Sequence, residues 1–413
     1  MVQDTSMASR RQLLLGGSGA LAGAMAGCLG GTDDDGNGGN GGNGGETGHG
    51  DNGGNGGTGE SGDTGGGTDE TYDVGYGDYE TTVSAADFPD ELRVYAVQTG
   101  WSNWDAVMEA FEDEYGVALY DAQGSSGEAL QDARSHAQNP THSAFNGGYS
   151  FNLEAMNDGL TTDYKPANWD KVPDELKTDD GHVTATRQMT TAVAYRTDVY
   201  EERGLDAPET WEDLKHPDIA QDLAVTPPHT ANGLASALSI NNAYGGDLDD
   251  LDPVIEFHEE IADHGADIRR NIEGDVTSGE ISTIVEYDYS GLNMKYNVDE
   301  IGEDQLDVAI LTGPDGEAGA MTVPYGYALL EGAPNPEVCK LFMDYVLSLD
   351  GQEKFFDAFV RPIRANELDQ PAEFPEQSAY DAAEFALDQE ELVEKQEEIQ
   401  TELTDRTPLP GAQ

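Results

Sequence analysis

Basic residues are scarce in this sequence: 20 Lys and Arg stand against 82 Asp and Glu, a formal charge of -62 over 413 residues. A surface of that sign repels nucleic-acid phosphates, which excludes nucleic acid as a partner. Cysteine is almost absent, and Cys28 and Cys339 lie on opposite sides of a long Gly-rich stretch, so neither a disulfide nor a cysteine metal site is expected. Cys339 sits in an apolar helical pattern and reads as a small buried hydrophobe. No period of 20 to 50 residues repeats, which excludes a solenoid. There is no Gly-x-Ser-x-Gly elbow, no His-Glu-x-x-His and no evident nucleophile and base pair, so a secreted enzyme is only a distant alternative. A surface-layer or adhesion module would need repeats or β-sandwich spacing, and neither is present. His258 and His264, six apart on a predicted helix, do not share a face and make no zinc pair, while His229 follows Pro227-Pro228 in a loop. The sequence calls for no cofactor.

The acidity is not confined to a tail, because Asp and Glu run through every segment that carries regularly spaced Trp, Tyr, Phe and Ile. Such a body resembles the proteins of salt-loving archaea, in which concentrated salt screens the self-repulsion. At the N-terminus, Ser9-Arg10-Arg11-Gln12-Leu13-Leu14-Leu15 leads a short apolar run ending in Met25-Ala26-Gly27-Cys28. The run is too short to span a bilayer and predicts a signal peptide over 1–27. The paired arginines resemble a twin-arginine export signal, and the residues before Cys28 resemble a lipoprotein processing box. That resemblance implies a lipid on Cys28, holding the protein on the extracellular face of the membrane. Residues 28–87 are poor in apolar side chains and read as a disordered Gly- and Asp-rich tether. A chain of that kind spans some tens of Å, at about 5–6 Å times the square root of its length.

Folding signals begin near Phe88. Leu92 to Val97 alternates as a strand, and Trp104, Val107, Met108 and Phe111 recur at helical spacing. A second strand and helix follow from Val117 and Glu128. Further strands are expected over 183–195, 281–289, 306–311 and 322–330. Helices are expected over about 233–243 and 253–264, after Pro336, and from about Tyr380 to Leu403. Alternating strands and helices predict an α/β fold with a largely parallel sheet, in enough elements for two lobes.

The stretch Val323-Pro324-Tyr325-Gly326-Tyr327-Ala328-Leu329-Leu330-Glu331-Gly332-Ala333-Pro334-Asn335-Pro336-Glu337, with Leu347-Ser348 and Gly351-Gln352 beyond it, resembles the iron(III), polyamine and phosphonate group of extracellular solute-binding proteins. Similar too are Val193-Ala194-Tyr195-Arg196-Thr197-Asp198, Thr210-Trp211-Glu212-Asp213-Leu214 and Val360-Arg361-Pro362-Ile363-Arg364. The resemblance covers about residues 90 to 366. It implies a two-lobe, hinged fold of the type II periplasmic-binding kind, with crossings placed near Tyr195 and Val323. One lobe would be 88–195 plus about 323–366, the other 196–322, with 367–413 a C-terminal helical segment. It also implies a monomer that captures a small polar solute and hands it to an ABC permease with its ATPase subunits.

In open α/β lobes ligands sit beyond the carboxyl ends of strands, so the loops there supply the candidate contacts. Trp101 offers a π face to a cation, with Trp104 read as core. Ser125 and Ser126 open a helix and can receive an anion or simply cap it. Tyr149 follows Gly147-Gly148, where backbone approaches closely. Glu286, Tyr287, Asp288 and Tyr289 alternate at a strand end, so the acids are expected on one face and the tyrosines on the other. Acids facing the cleft would pair with ammonium groups, and tyrosines there would hold iron(III), joined by Tyr325. A polyamine or related organic cation ranks slightly ahead of iron(III), with aminophosphonate and thiamine behind.

Overall fold

The computed structural model describes residues 70–96, 99–121, 125–270 and 272–411. The expected signal peptide, Cys28 and the Gly-rich stretch up to residue 69 lie outside the described residues. Among the described residues no helix is long and apolar enough to cross a membrane.

The tether expected through residue 87 ends earlier. Thr71–Val74 and Thr81–Ser84 form an antiparallel hairpin. Its apolar side chains are few but all on one face: Val74 and Val83 are buried, and Tyr72 stacks on Phe88 at 5.9 Å and meets Tyr115 edge-on at 5.1 Å. A hairpin docked on an existing core needs only one apolar face, which is why composition misled. Asp344, on the helix Pro336–Val346, fastens it. The buried carboxylate accepts from Gly75 N, Ala167 N and the Tyr164 hydroxyl, each at 2.8 Å. Burial pushes this carboxyl up to about 6, against three donors that favour its charged form. Asp344→Ala strands all three donors, so urea denaturation should show a loss of about 3 kcal/mol. A loss within error of zero would mean the hairpin docks through its apolar face alone.

Strand and helix alternate as the sequence predicts, and the two-lobe α/β arrangement results. The sheet is mixed rather than largely parallel, because the crossing strands pair antiparallel with each other and with the lobe strands beside them. In one lobe Glu91–Ala96 lies between Ala118–Asp121 and Ala144–Gly148, all parallel. Ala144–Gly148 then pairs antiparallel with Ala320–Leu330. In the other lobe Thr283–Tyr287 pairs parallel with Leu223–Val225, which in turn pairs with Asp267–Ile268. The long strand Thr184–Tyr195 belongs to both sheets. Its first part, to Thr190, pairs with Ala320–Leu330, and from Thr191 onward it pairs with Thr283–Tyr287. The change of partner falls between Thr190 and Thr191, ahead of Tyr195 where the crossing was placed. Thr322 lies opposite Thr190, so the two crossing strands run side by side at this point.

Each lobe has its own core. Trp104, Phe111, Phe342 and Phe355 pack in the first, where Trp104 is fully buried and stacks on Phe355 at 5.9 Å. Cys339 is buried in the same cluster, and burial pushes its thiol up to about 12. Trp211, Leu214, Leu238, Val254 and Phe257 fill the second. Burying side chains of this size contributes about 1.5–3 kcal/mol each.

The single charged helix expected over 380–403 is broken in two. Helix Gln377–Ala383 is followed by the short strand Glu384–Phe385 and then by helix Gln389–Arg406. The break exists because Glu384 and Phe385 pair in parallel with Ala320 and Met321, a long-range contact that overrides local helix propensity. Leu392, Ile399 and Leu403 pack the last helix onto the second lobe's core.

Candidate functional site

The site strand Thr283–Tyr287 is buried along its whole length, and a helix, Asp288–Asn297, starts directly after it. The strand expected to reach residue 289 therefore stops at Tyr287, and the proposed alternation of faces fails beyond that residue. Asp288 decides the boundary. Its carboxylate accepts from Thr190 N at 3.0 Å, from its neighbour Tyr289 N at 2.9 Å and from the Tyr380 hydroxyl at 3.1 Å. An acid in a helix's first turn also complements the exposed N–H groups there. Burial pushes the Asp288 carboxyl up to about 6. The residue is turned toward the crossing strands and serves the hinge.

Tyr287 and Tyr289 stay together despite the change of element. Their rings stack at 6.2 Å with 21° between planes. Trp101, from the other lobe, meets Tyr289 at 4.9 Å and Tyr325 edge-on at 5.2 Å. The two lobes thus touch through one aromatic cluster that holds Trp101, Tyr287, Tyr289 and Tyr325. The Tyr287 hydroxyl is buried with no hydrogen-bond partner among the described residues. Burial, followed by the charges of Glu286 and Tyr325, pushes the Tyr287 and Tyr289 hydroxyls well above the ordinary phenol range.

Glu286 closes one side of the cluster. It accepts from the Asn232 side chain and, at 2.9 Å, from Tyr287 N. Asn232 stands in the first turn of helix Ala231–Ala243, and its own carbonyl accepts from Ser236 Oγ at 3.2 Å. Burial pushes the Glu286 carboxyl up to about 7, opposed by the Tyr287 N–H.

Arg187 closes the other side and was not among the sequence candidates. The residue is fully buried in the crossing strand, with its guanidinium carbon 4.7 Å from the Tyr325 ring centre and 5.7 Å from that of Trp101. Its Nη atoms donate to Asn146 Oδ1 at 3.2 and 3.3 Å, while Nε has no partner among the described residues. No carboxylate among them pairs with it, and burial pulls its pKa down to about 10. The one available signal was a lone Arg in the otherwise uncharged run Thr184-Ala185-Thr186-Arg187-Gln188-Met189-Thr190, in a chain with so few cations.

The remaining sequence candidates are engaged with partners of their own. Ser125 caps the helix Ser126–Ser135 in a capping box, accepting from Glu128 N at 3.2 Å while Glu128 accepts from Ser125 N at 2.8 Å. The chain's own carboxylate thus occupies the helix end where an external anion was considered. Ser126 Oγ accepts from Gly148 N at 3.0 Å and ties that helix to the adjacent strand. Tyr149 is buried with Leu153, Val172 and Val183 in a satellite core. His229 is exposed beside Arg270. Among the described residues no three His, Cys, Asp or Glu side chains gather as a metal site, so the converging oxygen donors are phenols and a single carboxylate.

The profile of a family described as bacterial extracellular solute-binding protein matches residues 143–387. The chain belongs to that family. An uncharacterized protein of Haemophilus influenzae is 22% identical to this solute-binding protein over 260 residues, which is 60% of this chain and 70% of that one. Among solved structures, the periplasmic binding protein AfuA of Actinobacillus pleuropneumoniae, with exogenous fructose-6-phosphate bound, is 17% identical with a TM-score of 0.58, over 77% of this chain and 99% of AfuA. Iron-bound HitA of Pseudomonas aeruginosa is 16% identical with a TM-score of 0.59, over 75% of this chain and 99% of HitA. The ferric binding protein of Campylobacter jejuni is 17% identical with a TM-score of 0.60, over 77% of this chain and 99% of that one. At such identities the likeness is one of fold: the solute-binding protein shares their two-lobe type II architecture. Its family is extracellular and carries solutes for transport.

Proposed function

We propose that this solute-binding protein captures iron(III) between its lobes and delivers it to a membrane permease driven by ATPase subunits, working as a monomer held to the membrane by a lipid on Cys28. The observation that carries the choice of cargo is the Tyr287 hydroxyl, buried without a partner beside Tyr289, Tyr325 and Glu286. A hard trivalent cation suits hard oxygen ligands, and phenolates supply them with charge. The polyamine reading needed Glu286 and Asp288 on one face; with Asp288 engaged at the hinge, only Glu286 remains to meet ammonium groups.

A ferric titration followed by visible absorption tests this, since tyrosinate bound to iron(III) absorbs there. Its pH dependence adds a second reading of the ligands. Binding must displace protons from Tyr287 and Tyr289 at any working pH, because both hydroxyls titrate well above the ordinary phenol range. Below about pH 7 the free protein also holds a proton on Glu286, and that proton must leave as well. Apparent affinity, measured against a chelator of known pH behaviour, should therefore rise about a hundredfold per pH unit above neutrality and about a thousandfold per unit below it. An equal slope on both sides removes Glu286 from the site, and a slope below one removes the tyrosines.

Arg187 favours a second reading, a solute with an anionic group such as a phosphonate or phosphate ester. A buried guanidinium without a carboxylate is suited to pairing with such a group, bidentately where geometry allows. Thermal stabilisation by aminoethylphosphonate or a sugar phosphate, with none by ferric salts, would select this cargo.

A further inference from the structure

We propose that the segment 377–410 is a clasp on the hinge, setting how readily the lobes part, and through that the affinity for solute, without contacting the solute itself. The inference rests on the two-lobe fold and not on the identity of the cargo.

The segment reaches both crossing strands where they run side by side. On one, Glu384–Phe385 pairs with Ala320 and Met321, Gly319 N donates to Ala383 O at 2.9 Å, and Thr322 Oγ1 donates to Phe385 O at 3.2 Å. On the other, Thr190 Oγ1 donates to the Glu384 carboxylate at 2.6 Å, next to the point where that strand changes lobes. The same carboxylate pairs with the buried Arg361, whose guanidinium carbon lies 3.7 Å from the Tyr380 ring centre. Tyr380 then donates to Asp288, the residue between the two tyrosines of the cluster.

The segment also spans the lobes. Ala386 packs with the satellite core of Tyr149 and Leu153 in the first lobe. Ile399, Leu403 and Leu409 pack with Val254 and Phe257 in the second. Lys395 pairs with Asp249 at 2.7 Å, Arg406 pairs with Asp252, and Ile268 N donates to Pro410 O at 2.8 Å. The family profile ends at residue 387, so the helix Gln389–Arg406 lies beyond the part this family shares.

All these contacts are made with Trp101 of one lobe against Tyr289 of the other. Rotating the lobes apart turns the backbone at Thr190, Thr191 and Thr322, where the clasp is bonded on both sides. A group that favours one of two states shifts the population by its differential contacts alone. Apparent affinity scales with the fraction of protein in the competent state. The clasp therefore favours closure.

Two conservative variants in the full chain test the proposal. Tyr380→Phe removes only the hydroxyl that reaches Asp288, and Thr190→Val removes only the bond to Glu384, leaving Arg361 paired. Small-angle scattering of each variant without solute should report a larger radius than the parent. Solute affinity should fall about tenfold, with faster dissociation, while the absorption maximum of any ferric complex stays in place. Folded variants with the parent's scattering and affinity would overturn the clasp. So would a weaker affinity at unchanged scattering with a shifted absorption maximum, because that result assigns Tyr380 to the site itself. If the parent shows no ferric band at all, the cargo assignment fails and the solute-free scattering still decides the clasp.

Discussion

Replacing Tyr287 and Tyr289 together by Phe is expected to lower ferric affinity at least a hundredfold, about 2.7 kcal/mol, and to abolish the visible band of the complex. The magnitude follows from what is removed. Each phenolate contributes a charged, hard oxygen to the site. The change spares the fold. Phe keeps both rings and their 6.2 Å stack, and the Tyr287 hydroxyl has no hydrogen bond to lose. Thermal stability should therefore match the parent or slightly exceed it, because an unsatisfied buried hydroxyl is itself a cost. Equal ferric affinity in parent and variant would exclude both residues as ligands and leave the anionic solute suggested by Arg187 as the better reading.

Lowering the salt concentration should have the other large effect. Several of the few cations among the described residues are already engaged: Arg134 with Asp158, Arg196 with Asp198, Arg203 with Asp222 and Arg269 with Asp267. With a net charge of -62, the remaining carboxylates face one another across the surface. The screening length is about 3 Å in molar salt and about 10 Å at 0.1 M, so dilution exposes each acid to many more of its neighbours. The melting temperature in 2 M KCl should exceed that in 0.05 M KCl by at least about 10 °C, which at about 2–4 °C per kcal/mol corresponds to several kcal/mol. A melting temperature independent of salt would remove the salt-loving reading and imply that the carboxylates are spaced widely enough not to interact.

The alternation of strands and helices was legible because each element carries its own apolar period. Glu91–Ala96 and the helix Trp104–Tyr115 fall where local pattern placed them. Trp101, Glu286, Tyr287, Tyr289 and Tyr325 were also reachable, since loops after strands and strand ends point toward a cleft by topology alone. What escaped was decided across the chain. Whether Asp288 continues a strand or starts a helix depends on Thr190 N, 98 residues away. Arg187 carries no local signal beyond its lone charge in the strand, because its surroundings of Trp101, Trp104, Tyr325 and Phe355 come from three distant segments. The break at Glu384 depends on the edge offered by Ala320 and Met321. Ser125 and Ser126 were misleading for the opposite reason: the capping-box spacing to Glu128 was visible, and its local use prevails over a ligand.

The hairpin at Thr71–Ser84 fixes more than its own shape. Asp344 bolts the hairpin to the lobe that carries Trp101. A pull arriving through the preceding residues enters that lobe alone and bypasses the crossing strands. The lobe bearing Tyr287 and Tyr289 then stays out of the line of force, joined to the loaded lobe by the crossing strands and the C-terminal segment.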